Sequence, residues 1–553
     1  MKKGFTLIEL LAVIVILAII ALIATPMILG VIDSAKKGAA ENSTYGYIDA
    51  IEKSDLKNMI DTENYTARTD GTYDLSTLAN VSYKGQSPTA VCVIIKDGNV
   101  ENGSFQFDNY IVDYSNGKAK VNTTKAEVSC EPTTSPEEIL FNEAKGVNIP
   151  KLSEGMTPIK WVNGVETVTT VDDPEWYDYA KQLWANVKTA DGSYFVWIPR
   201  YAYKITSGYH SSEVGSIDVK FLKGTSDTPV DNTNIETTGY VVGNKDTSMY
   251  YFTHPAFQND INETGYWVAK FEPTAVEGVA NGYTVDHSCL VEDDDVLTKT
   301  VQVIPNAKSW RCINIANAYK TTIAMKNKTT AYGWHSDEVD THMMTNLEWG
   351  AISYLSQSVY GTNGNEIYIN NSQTYTTGCA GNTVSASAYN GCQNPYNTET
   401  GVKASTTQNI TGIYDMSGGA WESIMGVYNN LITGSGFTEE EMAQIPTNYI
   451  TKYQTALGNM LNGVGMDYDM TVYGDGIYEM SEDANRYNGS AWIGKVSGSW
   501  NADYSNLPYT TDPWLYRGAY FGHTTNAGIV AFSSSNGRKS APFSFRPIVS
   551  VIK

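Results

Sequence analysis

Cysteine is scarce, six in 553 residues, so a dense disulfide scaffold is excluded and hydrophobic cores must hold the chain together. Basic residues are also short. Lys and Arg number 38 against 60 Asp and Glu, a formal net charge of -22, which repels polyanions at long range and argues against nucleic acid as a partner. Histidine occurs only at 210, 254, 287, 335, 342 and 523. There is no His-Glu-x-x-His helix, no Gly-x-Ser-x-Gly elbow and no Gly-rich phosphate loop after a strand. His335 and His342, seven apart, can share a helical face, but they and the carboxylates near them form no metal-ligand spacing motif, so they read as surface or satisfied core residues. What the chain does have is length for two to four domains. Its 38 Tyr and 47 Gly, set among many Asn, Ser and Thr, lean towards an exported protein.

The one long apolar run opens the sequence. From Leu10 to Ala24 nothing polar occurs, and with Met27 to Ile32 the run exceeds the length needed to cross a bilayer, about 20 residues. Lys2 and Lys3 precede it, which keeps the N-terminus cytoplasmic and sends everything after residue 33 outward. The run is too long for a cleaved secretory signal. A plain signal anchor leaves Glu9 unexplained, because a carboxylate in the apolar zone costs several kcal/mol without a partner.

Lys2, Lys3, Gly4, Phe5, Glu9 and Pro26 together resemble the type IV prepilins: a short basic leader, Gly before Phe, Glu four residues later and Pro about two-thirds along the helix. The resemblance implies that a prepilin peptidase cuts between Gly4 and Phe5, that the new Phe5 amine is N-methylated, and that Glu9 pairs with the Phe5 amine of a neighbouring pilin subunit. The physics fits. Gly4 offers no side chain to obstruct an intramembrane active site, removal of Lys2 and Lys3 frees the helix to leave the bilayer, and pairing neutralises two membrane charges. Pro26 removes one backbone hydrogen bond and loosens the helix for packing.

The helix is expected to run over residues 5–57, its second half carrying a sparse apolar stripe at Ile32, Ala35, Ala39, Ala40, Ile48, Ile51 and Leu56. Residues 58–130 then alternate short β-rich runs with turns such as Asp97-Gly98-Asn99 and Asn116-Gly117, as a small antiparallel meander would. Cys92 and Cys130 are read as one pair from order alone, since connectivity cannot be deduced from sequence. Residues 131–150, with Glu131-Pro132 and Ser135-Pro136, read as a semi-rigid linker. Residues 151–553 are far more than a pilin head contains.

That segment is punctuated by aromatic, strand-like runs at Tyr194 to Ile205 and Gly265 to Phe271. A capping box at Thr345 and Glu348 opens a helix whose buried face is Leu347, Ala351, Ile352 and Leu355. The ordered blocks Tyr266 to Phe271, Met344 to Trp349, Tyr414 to Glu422, Arg517 to Tyr520 and Phe545-Arg546 resemble the formylglycine-generating-enzyme (sulfatase-modifying factor) domain, an elaborated C-type-lectin-like fold, over about residues 190–553. The implied fold class is α+β: a long pilin helix with a small antiparallel sheet, followed by a large C-type-lectin-like domain. The departures bear on function. Those oxidases bind copper through a Cys pair between the last two blocks, and no Cys lies between Arg517 and Arg546. The family Asn after Ser-Gly is Gly419 here, which puts in doubt the calcium-associated loop of some relatives.

The expectation is therefore a non-enzyme with no catalytic residue, no metal site and no cofactor. Calcium is left open by Asp293-Asp294-Asp295 and by Asp467, Asp469, Asp475 and Glu479, but neither run has the EF-hand register and solvated acidic loops are the preferred reading. Cys379 with Cys392 reads as a loop staple, and Cys289 with Cys312 as another. Trp500, Trp514, Tyr516, Tyr520 and Phe521, set among Asn, Ser and Gly, are the candidate ligand surface, of a kind that stacks on sugars or docks proteins; filling a core is the competing role for such residues. The expected protein is a minor or tip pilin subunit, membrane-inserted before assembly and extracellular afterwards, displaying an adhesive head for a glycan or protein ligand. The alternatives are an oxidase relative mounted on a filament, or a pseudopilin of a secretion or DNA-uptake machine.

Overall fold

The computed structural model describes residues 35–54, 68, 71–78, 81–96, 98–115, 118–122, 127–128, 140–231, 233–235, 246–279, 289, 296–453, 460–461, 464–469 and 472–552. Gly4, Phe5, Glu9, Pro26, Cys130, His287 and Asp293-Asp294-Asp295 lie outside these residues. Among the described residues no helix is long and apolar enough to cross a membrane; the apolar run of the N-terminus is not among them. The chain divides into two compact units, Met1–Ile139 and Leu140–Lys553.

In the first unit residues 35–54 are helical. The buried residues are Ala40, Thr44, Tyr47, Ile48, Ala50, Ile51 and Ser54, and Ala40, Thr44 and Ile48, like Tyr47, Ile51 and Ser54, recur every three or four positions, as one helix face requires. Ala35 and Ala39 of the expected stripe are exposed. Thr44 and Ser54 take places on it because each hydroxyl donates back to the helix, to Ala40 O (3.0 Å) and Ile51 O (2.7 Å), so no polar atom is stranded. A five-stranded antiparallel meander follows in chain order: Gly71–Asp74, Ala90–Lys96, Asn99–Phe107, Tyr110–Ser115 and Lys118–Asn122. Val93, Phe105 and Val112 are fully buried in one cluster with Tyr47, Ile48 and Ile51. The last strand has a free edge, and the helix covers it: Glu41 Oε1 accepts the Val121 N–H at 2.9 Å and Tyr45 Oη the Ala119 N–H at 2.8 Å. Such caps blunt an edge that would otherwise pair with another chain.

The second unit is built on a seven-stranded antiparallel sheet, in the order Val339–Met343, Pro547–Val551, Gly265–Ala269, Tyr194–Pro199, Asn186–Lys188, Thr157–Val162 and Val165–Val168. The chain's last strand is thus interior to the sheet. The strands Thr157–Val162 and Asn186–Lys188, ahead of residue 190, belong to it too. Residues 140–150, expected in the linker, are part of this unit: Phe141–Asn142 pairs with Val147–Asn148, and buried Asn148 donates to Thr264 O at 2.9 Å. The single aromatic run expected from Tyr194 to Ile205 is divided at Arg200 between the large sheet and a three-stranded one, where Tyr201–Ser207 pairs with Ser216–Phe221 and Phe252–Thr253. The Arg200 guanidinium, paired with Asp227 at 2.7 Å, occupies the corner.

A further sheet centres on Trp421–Tyr428, which pairs with Trp514–Arg517 antiparallel and with Thr451–Tyr453 and Phe543–Phe545 parallel; Phe532–Ser535 continues it beyond Trp514–Arg517. The helix Asn346–Gln357 has the expected capping box at Thr345 and Glu348 and is buried on nearly every side. All five blocks quoted above meet in one core. Met344 N donates to Arg546 O (2.9 Å), Met425 N to Met344 O (2.8 Å) and Tyr414 N to Lys270 O (2.8 Å). The Tyr266 hydroxyl donates to Glu348 O (3.1 Å), and Arg517 to Asn346 Oδ1 (2.7 Å).

Candidate functional site

Of the five aromatic residues expected to form a ligand surface, Trp500 and Trp514 are core residues. Both are fully buried; the Trp500 indole N–H donates to Gly208 O at 3.0 Å, and Trp514 stacks on Phe437 with centroids 5.8 Å apart. Their polar neighbours in sequence gave no sign of this, because irregular segments bury large rings as strands do. Tyr516, Tyr520 and Phe521 are half-buried and do come together.

They gather around Trp421, at the start of its strand. Tyr516, on the antiparallel neighbour, meets Trp421 edge to face at 4.5 Å. His523 lies 5.2 Å from Trp421, 4.8 Å from Tyr504 and 4.9 Å from Tyr520. Phe543 joins Tyr516 at 4.8 Å, and Phe521 joins Tyr520 at 5.2 Å. Ala519, Ala527 and Ala531, fully buried, pack with Ile369 and with Trp421, itself only 4% exposed, and the half-buried rings lie against this small core. Burial pushes the His523 imidazole down to about 4, so it is neutral at physiological pH. The segments carrying this basin hold unusual backbone: Asn501, Ala502 and Ala519 have φ near +60°, and Thr524 sits at φ 46°. A β-branched residue there is strained, and strain of this kind concentrates where a surface must hold a particular shape.

Among the described residues, buried titratable groups gather in networks, of which three bear on the expected site residues. In the first, the Arg546 guanidinium grips Glu422 through two nitrogens, with Nε 2.7 Å from Oε2, and donates to Ala269 O (2.6 Å) and Tyr414 O (3.0 Å). Asp415 accepts from Asn370 Nδ2 (2.8 Å) and Gly378 N (2.9 Å), and Glu272 Oε1 from Ala420 N (2.8 Å). Burial and neighbouring carboxylates push Glu272 well up; burial, eased by Arg546, leaves Glu422 at about 7. Gly419 is fitted to this network: a Cβ there, at φ +69°, would stand 2.5 Å from Glu272 Oε1.

In the second network His342 is fully buried on the strand Val339–Met343, not on a helix with His335, and lies 2.9 Å from both Asp340 Oδ1 and Glu348 Oε1. Burial alone would lower its pKa; the flanking carboxylates override that and raise it to about 10. His335 is exposed and pairs with Glu154. In the third, Glu479 accepts from the hydroxyls of Tyr203 (2.8 Å) and Tyr354 (2.7 Å) and from Gly474 N (2.6 Å). Asp475 and Glu479 are fully buried, which corrects the solvated reading for these two; Asp467 and Asp469 remain partly exposed. No sequence signal separated them, since the hydroxyls that enclose Glu479 come from Tyr203 and Tyr354, more than 100 residues away, and the one that bonds Asp475 from Tyr453 on another strand. Among the described residues no group of three or more His, Cys, Asp or Glu is arranged to hold a metal ion.

Cys289 is bonded to Cys312 and Cys379 to Cys392, with Cα atoms 5.7 and 5.4 Å apart. Cys92 is disulfide-bonded. Residues 1–25 match the model of the prokaryotic N-terminal methylation motif, and that span contains Gly4, Phe5 and Glu9. No curated protein matches the chain. This motif is of the kind carried by type IV prepilin-like and pseudopilin-type proteins and points to processing by a prepilin peptidase and assembly with other such subunits.

Proposed function

We propose that this protein is a type IV pilin-like filament subunit that carries a non-catalytic, C-type-lectin-like binding head outside the cell. The observation that carries the reading is the methylation motif over residues 1–25. Cleavage after Gly4 strips the two lysines that hold the N-terminus in the cytoplasm, and pairing of Glu9 with a neighbour's Phe5 amine offsets the cost of moving both through an apolar lattice. The five interlocked blocks support a formylglycine-generating-enzyme-like fold. The half-buried rings of Tyr504, Tyr516, Tyr520, Phe521 and Phe543 support binding, since with the neutral His523 they suit an amphipathic ligand. A head of more than 400 residues on every subunit would crowd a helical lattice, so the subunit is a minor or tip one.

The test is the N-terminal mass of the protein recovered from sheared cell surfaces. A chain beginning at methylated Phe5 is expected; an intact Met1, or cleavage beyond the apolar run, refutes filament entry. Electron microscopy with an antibody to the head should label filament tips or sparse positions, and uniform decoration of the shaft would defeat the minor-subunit assignment. Elemental mass spectrometry of the purified chain should find no stoichiometric copper or iron. Either metal would revive the oxidase reading.

A further inference from the structure

Among the described residues Lys270 is the one fully buried lysine, 0% exposed. It follows directly on the strand Gly265–Ala269, and its N–H donates to Tyr194 O at 3.0 Å, so the sheet register holds through it. Asn186 stands between Ile159 and Val196, Val196 opposite Val268, and Trp161 opposite Glu166. Residues two apart on a strand share a face. Trp161, Glu166, Asn186, Lys188 and Lys270 therefore lie on one face of the seven-stranded sheet.

The two lysines of this face have opposite surroundings. Lys188 is partly exposed and pairs with Glu166 at 2.9 Å. Lys270 Nζ meets oxygens of uncharged groups instead: Asn186 Oδ1 at 2.8 Å, Ile410 O at 2.7 Å and Gly412 O at 2.9 Å. Burial pushes its amine well below the ordinary lysine range, opposed by the charge of Glu166, and a lysine desolvated in this way is a nucleophile. A neutral amine has two hydrogens. The backbone oxygens of Ile410 and Gly412 are fixed acceptors and take both, which turns the nitrogen lone pair to the Asn186 carboxamide.

That carboxamide is equally confined, at 1% exposure. Its Nδ2 donates to Trp184 O (3.0 Å) and Thr411 O (2.8 Å), so both amide hydrogens are engaged and the group is held in one orientation. Cγ lies one C=O bond beyond Oδ1, which puts it within about 4 Å of Nζ. The rings of Trp161 and Tyr414 stand 4.9 and 5.4 Å from Nζ and help to keep water out. A desolvated amine beside a fixed carbonyl carbon is positioned for intramolecular attack.

We propose that Lys270 and Asn186 join in an isopeptide bond, a spontaneous cross-link inside the head. Nζ bonds to Cγ, the Cγ–Nδ2 bond breaks, and the proton shed by Nζ leaves on Nδ2 as ammonia; nothing is oxidised or reduced and no co-reactant is consumed. The bond joins residues 84 apart in the chain and ties Asn186–Lys188 to the end of Gly265–Ala269 across the strand between them, which restricts the unfolded chain. It is independent of how the N-terminus is processed.

The test is mass spectrometry of the full chain, denatured, reduced and digested with a protease that cuts after lysine. The expected product is a branched peptide with no cut after Lys270, its mass that of the two linear peptides less one ammonia, and its fragments placing the link between Asn186 and Lys270. Lys270→Arg should release Asn186 in a linear peptide of full mass, and Asn186→Ala should restore cleavage after Lys270. The measurement on the unaltered chain decides the matter even where a variant fails to fold. Cleavage after Lys270 with Asn186 intact, Asn186 recovered as Asp beside a free Lys270, or a loss of ammonia that maps to other residues each overturns the proposal.

Discussion

In the helix-and-meander unit, Glu41 and Glu52 reach strand N–H groups from the surface and remain partly exposed. In the head, Glu272, Asp415, Glu422, Asp475, Glu479 and Asp503 are sealed inside at no more than 1% exposure. The first unit is regular, so its backbone satisfies itself and side chains serve only as edge caps. The head is largely irregular, and carboxylates and arginines must bond the loop backbone that no ladder serves. Polar groups there are framework rather than trim, and the head should respond to charge and pH far more than the meander does.

The sharpest way to break that contrast is Arg546→Met. It leaves Glu422 buried without its cation, a loss of about 3–5 kcal/mol. Thermal unfolding of the full chain by circular dichroism should lose the head's transition at pH 8 while the meander's persists. Partial recovery at pH 5 is expected, because Glu422 can then be protonated.

The next effect is pH alone. Glu422 and Glu479 are raised to about 7 and His342 to about 10. A raised folded-state pKa contributes stability that is complete below the unfolded value and is lost as pH climbs through the folded one. The carboxyls therefore cost stability between about 4.5 and 7, and His342 between about 6.5 and 10. The Glu479 shift alone corresponds to roughly 3 kcal/mol, and the head should melt higher at pH 5 than at pH 9. Glu479→Gln should flatten the slope between pH 4.5 and 7, since the amide oxygen can still accept from Tyr203, Tyr354 and Gly474. An unchanged slope would mean that Glu479 does not carry it.

Gly419→Ala is expected to cost about 2 kcal/mol, by forcing a Cβ into the Glu272 carboxyl at a positive φ, read as a lower melting point for the head only. Glu41→Ala should cost about 1 kcal/mol and leave the head unmoved. A head transition that shifts with Glu41 would end the description of two separately built units.

The meander was legible in advance because alternation and Asn-Gly turns are local signals: expected runs at 90–96 and 110–114 became Ala90–Lys96 and Tyr110–Ser115. The capping box at Thr345 was legible for the same reason. The aromatic surface was half legible. Trp500, Trp514, Tyr516, Tyr520 and Phe521 look alike in sequence, and what separates them is whether Gly208, Phe437 or solvent lies opposite. Trp492 looked no different from Trp500, yet one is exposed and the other buried. Glu479 was misread because its partners Tyr203, Thr247 and Tyr354 lie far away in the chain, and Asp475 because the Tyr453 hydroxyl that bonds it belongs to another strand.

By itself the sequence determined that residues 1–25 carry a prokaryotic N-terminal methylation motif, since Gly4-Phe5, Glu9 and an uninterrupted apolar run need no tertiary partner to be recognised. It also determined the meander and the acidity that keeps polyanions away. Only the tertiary structure decided which carboxylates are framework, which rings are core and which face water. Burial is a relation between distant residues, and no stretch of sequence holds both sides of it.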